Sequence, residues 1–331
     1  MGTFTPMYLA EAYGLGLTVC VPEVWSRFLP RVACNRDLFR QINGQDIYKV
    51  SESHFVQFEF NPLYRYPIIE VLPDHFVGVD PFLIAERITL GLFYDLFEKD
   101  RLAFTNRFGH AFDRFVGQLL KSACPPELLW SASDWEQRQS NTKQQDHGKI
   151  GDWVYSGRAC RVLLECKSLR PSLELTTYGS DDSVQRVTDR IASALEQLIG
   201  HSKSIQEGRW ATERLLPGKV VCVVVTYGRI NTINGPFTRK RIRQRLSDKG
   251  LNVPSFVVLS LEELDSVVRL VELGKPLDEV ILALAQQEDS FDVLRLFNED
   301  LKLRAVSSLA YNKGKEFMDG IRAKVSHSVT E

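Results

Sequence analysis

The chain has 331 residues, with 41 Lys and Arg against 42 Asp and Glu, which gives a net charge of −1. Hydrophobic residues make up 44% and charged residues 25% of the chain. These proportions are ordinary for globular proteins and exclude a disordered chain, a coiled coil and a collagen-like repeat. The balanced charge excludes a protein coated in basic residues, but not one with a local basic patch. The length predicts one large domain or two modest ones.

The sequence carries no signal for membrane insertion or export. No apolar run is long enough to cross a bilayer, and the first residues lack a basic segment followed by an apolar one. The six cysteines form no C-x-x-C pair and show no zinc-site spacing. We therefore expect free thiols, a cytoplasmic location and no membrane association.

Residues 1–100 predict a separate N-terminal region of mixed strands and helix. Short apolar segments broken by prolines in 55–79 predict strands, and helical spacing of apolar residues in 81–99 predicts a helix. We expect this region to dock on the rest of the protein, or to recognise a target or partner.

The following part of the chain alternates between helical and strand patterns. In chain order these patterns predict a helix at 107–123, a strand at 127–133, a polar loop at 133–149, a hairpin at 151–168, a long helix at 180–205, a strand at 219–228, a basic helix at 236–250, and a strand at 255–260 that runs directly into a helix. This order predicts an α/β fold with a mixed central sheet flanked by helices. We place a core domain at 101–273 and a C-terminal helical extension at 274–331, with acidic helices to about residue 304.

The predicted hairpin holds the residues with the clearest chemical potential. Strand alternation directs Glu165 and Lys167 to one side, and Leu164 and Cys166 to the other. The apolar residues 162–164 predict that this strand is buried. Because burying ionised groups is costly, a buried strand that ends in Glu and Lys needs a functional reason.

The register of the hairpin decides whether Asp152 can join Glu165. A two-residue turn at Ser156 and Gly157 would place Asp152 opposite Arg161, whereas a four-residue turn over 157–160 would place it opposite Glu165. In the second register two carboxylates meet, and paired carboxylates suit Mg²⁺. A lysine beside them could orient or deprotonate a water molecule and offset charge on a pentavalent phosphorus transition state. The residues therefore predict metal-assisted phosphodiester hydrolysis.

The whole ordered set, over about residues 108–273, resembles the PD-(D/E)XK, or restriction-endonuclease-like, nuclease superfamily. GDWVY carries the motif Asp at Asp152, and LLECKS carries the E-x-K pair at Glu165 and Lys167. Asp113 in the helix GHAFDRFVGQLL matches an acidic position of the family's opening helix, and Gln197 in SALEQL matches a glutamine of the helix after the core strands. Gly151 stands where the name-giving Pro would be.

The resemblance implies a restriction-endonuclease-like core and a Mg²⁺-dependent nuclease, with Mn²⁺ able to substitute. It implies that Asp152, Glu165 and Asp113 hold the metal, and that Lys167 and Gln197 complete the catalytic set. The expected substrate is DNA, cut to leave 5′-phosphate ends.

A basic helix follows the predicted strand at 219–228. Residues 219–250 contain eight basic residues and one acid, Asp248. The cluster consists of Arg239, Lys240, Arg241, Arg243 and Arg245. Contacts with the phosphate backbone of a nucleic acid would explain this local excess, and a solvated charged helix face is the alternative.

The leading interpretation is a Mg²⁺-dependent DNA endonuclease. By analogy with the family, we expect a role in restriction or anti-phage defence, with an activating or regulatory protein partner. A homodimer would supply the two sites needed to cut both strands. The alternatives are a catalytically silent nucleic-acid-binding or scaffolding module of a multi-protein complex, and an RNA nuclease.

Overall fold

The computed structural model describes residues 29–42, 63, 65–80, 83–84, 87, 96–97, 99–139, 151–169, 181–207, 218–230, 233–252, 254–287 and 294–297. The predicted strand near 55–62, most of the helix at 81–99, the loop at 140–149 and the helix beyond 297 lie outside these residues. The chain divides into two compact units, residues 1–105 with 171–185, and residues 106–170 with 186–331.

The described part of the first unit contains a small mixed sheet in the order β1-β2-β3. Strand β1 (Ala33–Asn35) is parallel to β2 (Ile68–Leu72), and β2 is antiparallel to β3 (His75–Gly78). Asp74 takes a positive φ of 60° in the turn between β2 and β3, where its amide donates to the Glu70 carboxylate over 3.2 Å. The β2–β3 hairpin agrees with the proline-punctuated pattern of the sequence.

The second unit is built on a mixed sheet in the order β4-β5-β6-β7-β8. The elements that lie in this unit, of which two helices begin in residues assigned to the first unit, are α1 (Arg101–Ala123), β4 (Leu129–Ser131), α2 (Ala132–Gln139), β5 (Trp153–Ser156), β6 (Cys160–Lys167), α3 (Asp181–Gln206), β7 (Lys219–Thr226), α4 (Pro236–Asp248), β8 (Ser255–Ser260), α5 (Leu261–Glu272) and α6 (Leu277–Gln286). Strands β4, β5 and β6 pair antiparallel, and β6, β7 and β8 pair parallel. The predicted α/β class, with mixed sheets flanked by helices, is confirmed.

Side chains alternate between the two faces of the sheet, so the core of this unit lies in two layers, one on each face. Residues such as Val162 and Leu164 join one hydrophobic cluster with α1, α5 and α6. The intervening residues, including Leu163 and Glu165, therefore face the other side of the sheet, where α3 packs. From Val221 onward, strand β7 is buried on both faces, as its apolar, valine-rich sequence predicts. Helix α6 contributes to the first cluster, although it lies in the stretch predicted as a C-terminal extension.

The polar segment after β4 is partly helical, so the predicted loop at 133–149 is wrong for its first residues. Helix α2 begins with reciprocal capping by Ser131 and Asp134: the Ser131 amide donates to Asp134 Oδ2 over 2.7 Å, and the Asp134 amide donates to Ser131 Oγ over 3.3 Å. Trp135 is buried, with 3% of its surface exposed. The cap and this single aromatic anchor outweigh the polar composition.

Within the described residues, no helix combines the length and the apolar character needed to cross a membrane.

Candidate metal centre

The register of the β5–β6 hairpin brings Asp152 and Glu165 to the same end of the sheet. Trp153 pairs with Leu164, and Ser156 pairs with Arg161. The turn spans residues 157–160 and is closed by a hydrogen bond of 3.2 Å from the Gly157 amide to the Cys160 carbonyl. One step beyond the Trp153–Leu164 pair, Asp152 stands opposite Glu165, which is the register that a shared metal site requires.

Lys167 lies between two predicted site residues. Its Nζ is 2.6 Å from Glu165 Oε1 and 2.8 Å from Gln197 Oε1 of α3. Glu165 is buried, with 6% of its surface exposed. The ammonium group is therefore held at a fixed place beside a buried carboxylate, and Gln197 is one of the two groups that hold it.

Burial and mutual repulsion disfavour the ionised forms of the two carboxylates. Burial, followed by the charge of Glu165, raises the pKa of Asp152 to about 7, although the Cys166 amide, which donates to Asp152 Oδ2 over 2.6 Å, acts in the opposite direction. Burial also raises the pKa of Glu165, against the lowering effect of Lys167. A divalent cation between the carboxylates would remove both penalties.

Asp113 approaches Asp152 from the α1 side of the sheet, opposite to Lys167. Its Oδ1 accepts a hydrogen bond of 2.9 Å from Trp153 Nε1. Ligand atoms of Asp113, Asp152 and Cys166 all lie within 4.8 Å of one another. The structure therefore brings Asp113 to the predicted centre, and it adds a thiol that sequence reasoning directed away from the site.

Cys166 reaches this group because alternation directs it towards α1, the helix that carries Asp113. The sequence signal was its position between Glu165 and Lys167, but its proximity to Asp113 depends on how closely α1 packs on the sheet. Trp153 explains that closeness: a Cβ on Gly117 of α1 would lie 2.7 Å from the Cη2 atom of the indole. The glycine lets the helix lie directly on the ring.

The donor set fits a hard divalent cation. The half-buried Asp152 just before β5 and the buried Glu165 on β6, with Asp113 near Asp152, supply the oxygen ligands that Mg²⁺ and Mn²⁺ take in proteins. A thiol within reach would also suit a softer ion such as Zn²⁺.

The basic helix α4 does not present all of its cations to solvent. Arg239 is 2% exposed, and its Nη2 donates to the Phe256 carbonyl over 2.9 Å and to the Ala285 carbonyl over 3.4 Å. Asn234 hydrogen-bonds both the amide and the carbonyl of Val258. Together the two side chains cover the free edge of β8. Arg239 therefore donates to carbonyls of its own chain from a buried position, which leaves its predicted role in nucleic-acid binding without support.

The other members of the cluster differ in their surroundings. Arg245 pairs with Asp189 of α3 at 2.9 Å, and the Arg241 guanidinium lies 4.9 Å from the centre of the Phe237 ring. Lys240 is exposed and Arg243 is half-buried. Both line an open groove of about 750 Å³ together with Arg239, Gln244 and Ser247. Among the described members of the cluster, Lys240 and Arg243 are the ones that line this groove without being deeply buried.

Neither a comparison with models of protein families nor one with curated proteins finds a match for this chain.

Proposed function

We propose that this protein is a Mg²⁺-dependent nuclease of the PD-(D/E)XK type that hydrolyses phosphodiester bonds of DNA. The observation that carries the proposal is the convergence of Asp152, Glu165 and Lys167 at the end of the β5–β6 hairpin. Partly burying two carboxylates together is unfavourable unless their charges are compensated. Lys167 pairs with Glu165, and a divalent cation would compensate Asp152 as well.

In this proposal Asp152 and Glu165 hold Mg²⁺, with Asp113 near enough to Asp152 to join them. The bound ion would supply Lewis-acid activation of water and of the phosphoryl oxygen. Lys167, fixed by Glu165 and Gln197, orients the water or stabilises negative charge that develops on phosphorus. Gln197 acts as a positioning residue, because it touches Lys167 rather than a reacting atom.

The topology supports assignment to a restriction-endonuclease-like core. An antiparallel hairpin carries the Asp and the E-x-K residues, and the second hairpin strand continues into parallel pairing with β7 and β8. A long helix crosses between β6 and β7 and supplies Gln197. This agrees with the resemblance seen in the sequence.

We further propose that the α4 groove contacts the phosphate backbone through Lys240 and Arg243. Two cations beside polar side chains can neutralise phosphates without reading bases. A role in defence, an activating protein partner and a homodimer stay predictions from the family resemblance alone.

The test is cleavage of plasmid DNA, linear DNA and RNA with and without Mg²⁺, by the wild type, Lys167→Ala and Asp152→Ala. Lys203→Ala is the matched control, since Lys203 lies on α3 and is paired only weakly with Glu207, at 3.8 Å. The proposal expects metal-dependent cleavage to 5′-phosphate ends that both site variants lose and the control retains.

Three other outcomes would contradict the proposal. Cleavage that survives both substitutions would place the centre elsewhere. Cleavage of RNA only would change the substrate class. Salt-sensitive DNA binding with no cleavage would favour a silent binding module.

A further inference from the structure

His201 of α3 contacts the start of the hairpin, and it is fully buried at 0% exposure. Its Nδ1 accepts a hydrogen bond of 3.1 Å from the backbone amide of Gly151. Gly151 directly precedes Asp152. The imidazole therefore holds the peptide that leads into a proposed metal ligand.

Gly151 lies in a place where close packing leaves little freedom. A Cβ at this position would approach Leu198 Cδ2 to 2.6 Å and the Leu164 carbonyl oxygen to 3.0 Å. The backbone is thus wedged between β6 and α3, and only glycine fits without a shift. Within this wedge, the bond to His201 fixes the direction of the amide as well as its place.

Two residues one turn apart on α3 contact the two segments that carry the predicted site residues. Gln197 and His201 are four residues apart and so lie on the same face of the helix. Gln197 accepts from Lys167, and His201 accepts from Gly151. Helix α3 therefore contacts both the segment that leads into Asp152 and the strand that carries Lys167, and it fixes the distance between them.

We propose that His201 is a positioning residue, which sets the Asp152 carboxylate against Glu165 through the Gly151 amide. The inference rests on the proposed nuclease function, because it assigns His201 to the same metal centre. Metal sites are sensitive to such outer contacts, whose loss typically lowers metal affinity by about 10- to 100-fold.

The ring is suited to a constant acceptor role. Burial, followed by the positive charge of Arg161, lowers the pKa of His201 to about 4, so the imidazole is neutral near neutral pH. Since Nδ1 accepts from Gly151, the proton of the neutral ring is on Nε2. The ring of Trp135 stands edge-on to the imidazole at 6.4 Å between centres and restricts its rotation.

The experiment compares three variants of the full chain. His201→Leu removes the acceptor and keeps an apolar side chain of similar bulk, whereas His201→Asn keeps an acceptor oxygen near the position of Nδ1. Ile205→Ala is the control for stability, since Ile205 is buried one turn further along α3. For each variant we would measure the Mn²⁺ dissociation constant by calorimetry, the Mg²⁺ concentration for half-maximal cleavage, and Tm.

We expect His201→Leu to raise the Mn²⁺ dissociation constant and the Mg²⁺ requirement about tenfold. We expect His201→Asn to recover most of that loss, and Ile205→Ala to lower Tm with an unchanged metal requirement. If His201→Leu does not fold, His201→Ala at reduced temperature provides the same comparison with the Asn variant.

The outcomes separate the two claims. Wild-type protein that binds Mn²⁺ and cuts DNA, together with a folded His201→Leu variant of equal metal affinity, would overturn the role of His201 alone. An equal loss in the Leu and Asn variants would also overturn it, since the acceptor would then be irrelevant. Wild-type protein that binds no metal would overturn the proposed function and this inference together.

Discussion

The end of the β5–β6 hairpin and helix α4 are both rich in charge, yet the fold uses their charges in opposite ways. At the hairpin, Asp152, Glu165 and Lys167 converge in a partly buried place. On α4, the charges diverge, since Arg239 enters the interior and Arg245 pairs with a neighbouring helix. A strand has only two faces, so residues two apart must point together. A helix distributes neighbouring residues around its axis, so a basic run need not form a basic surface.

The largest difference between the two regions should appear when Lys167 of the hairpin group is compared with Arg245 of α4. We expect Lys167→Ala to reduce DNA cleavage by at least about 100-fold, because it removes a cation placed where charge develops. On α4, Arg245→Ala should change cleavage by less than about threefold, as an ion pair near the surface contributes little. Cleavage rates measured under saturating Mg²⁺ would test this difference, and similar losses of rate in the two variants would contradict it.

Replacement of Asp152 should separate activity from stability. The pKa of Asp152 is raised to about 7 in the folded protein. The contribution of this carboxyl group to the free energy of unfolding is therefore fully present below its ordinary pKa of 3.8 and is lost as pH rises through about 7. We therefore expect Asp152→Asn to abolish cleavage but to raise Tm of the metal-free protein at pH 8, and to change Tm little at pH 4. A lower Tm at pH 8 would show that the Asp152 charge is already compensated without metal.

If the α4 groove binds phosphates, its basic residues should contribute to the salt dependence of DNA affinity. We expect Lys240→Ala and Arg243→Ala each to reduce the slope of log affinity against log salt by about one. Arg239→Ala should leave that slope unchanged and lower Tm instead, because it leaves the Phe256 carbonyl without a buried donor. DNA-binding titrations over a range of salt would test this. A slope change in the Arg239 variant would mean that its guanidinium leaves the interior to bind DNA.

The smallest effect should come from the hydrogen bond between Trp153 and Asp113. We expect Trp153→Phe to lower cleavage by about 3- to 10-fold, since it removes one donor to a carboxylate and preserves most of the aromatic packing. Asp113→Asn should show a similar or larger loss, because it changes the carboxylate itself. If both variants cleave like the wild type, Asp113 has no part in the metal centre.

Much of the fold of the second unit could be predicted because its signals are local. The valine-rich strand β7, the strand that runs directly into a helix at Ser260 and the long helix α3 follow from apolar patterns along the sequence. The hairpin register could be narrowed only to two alternatives, since a turn of two or four residues fits the same sequence. The structure shows the four-residue turn, which sets the register.

The features that the sequence did not predict depend on contacts between distant segments. Arg239 is buried because β8 is an edge strand whose free carbonyl at Phe256 needs a donor. Cys166 joins the Asp113 group because Gly117 lets α1 approach Trp153. Neither contact can be predicted from a periodic pattern in the sequence, because each depends on how the helices and strands pack.

The covering of β8 by Asn234 and Arg239 also limits how two copies of this protein could associate. An uncovered edge strand can recruit a second sheet by backbone pairing. Here the Val258 amide and carbonyl and the Phe256 carbonyl are already bonded to side chains of their own chain. A continuous ten-stranded sheet made by joining two β8 edges would have to break these bonds first, so side-chain capping here acts as a built-in barrier to self-association through that edge.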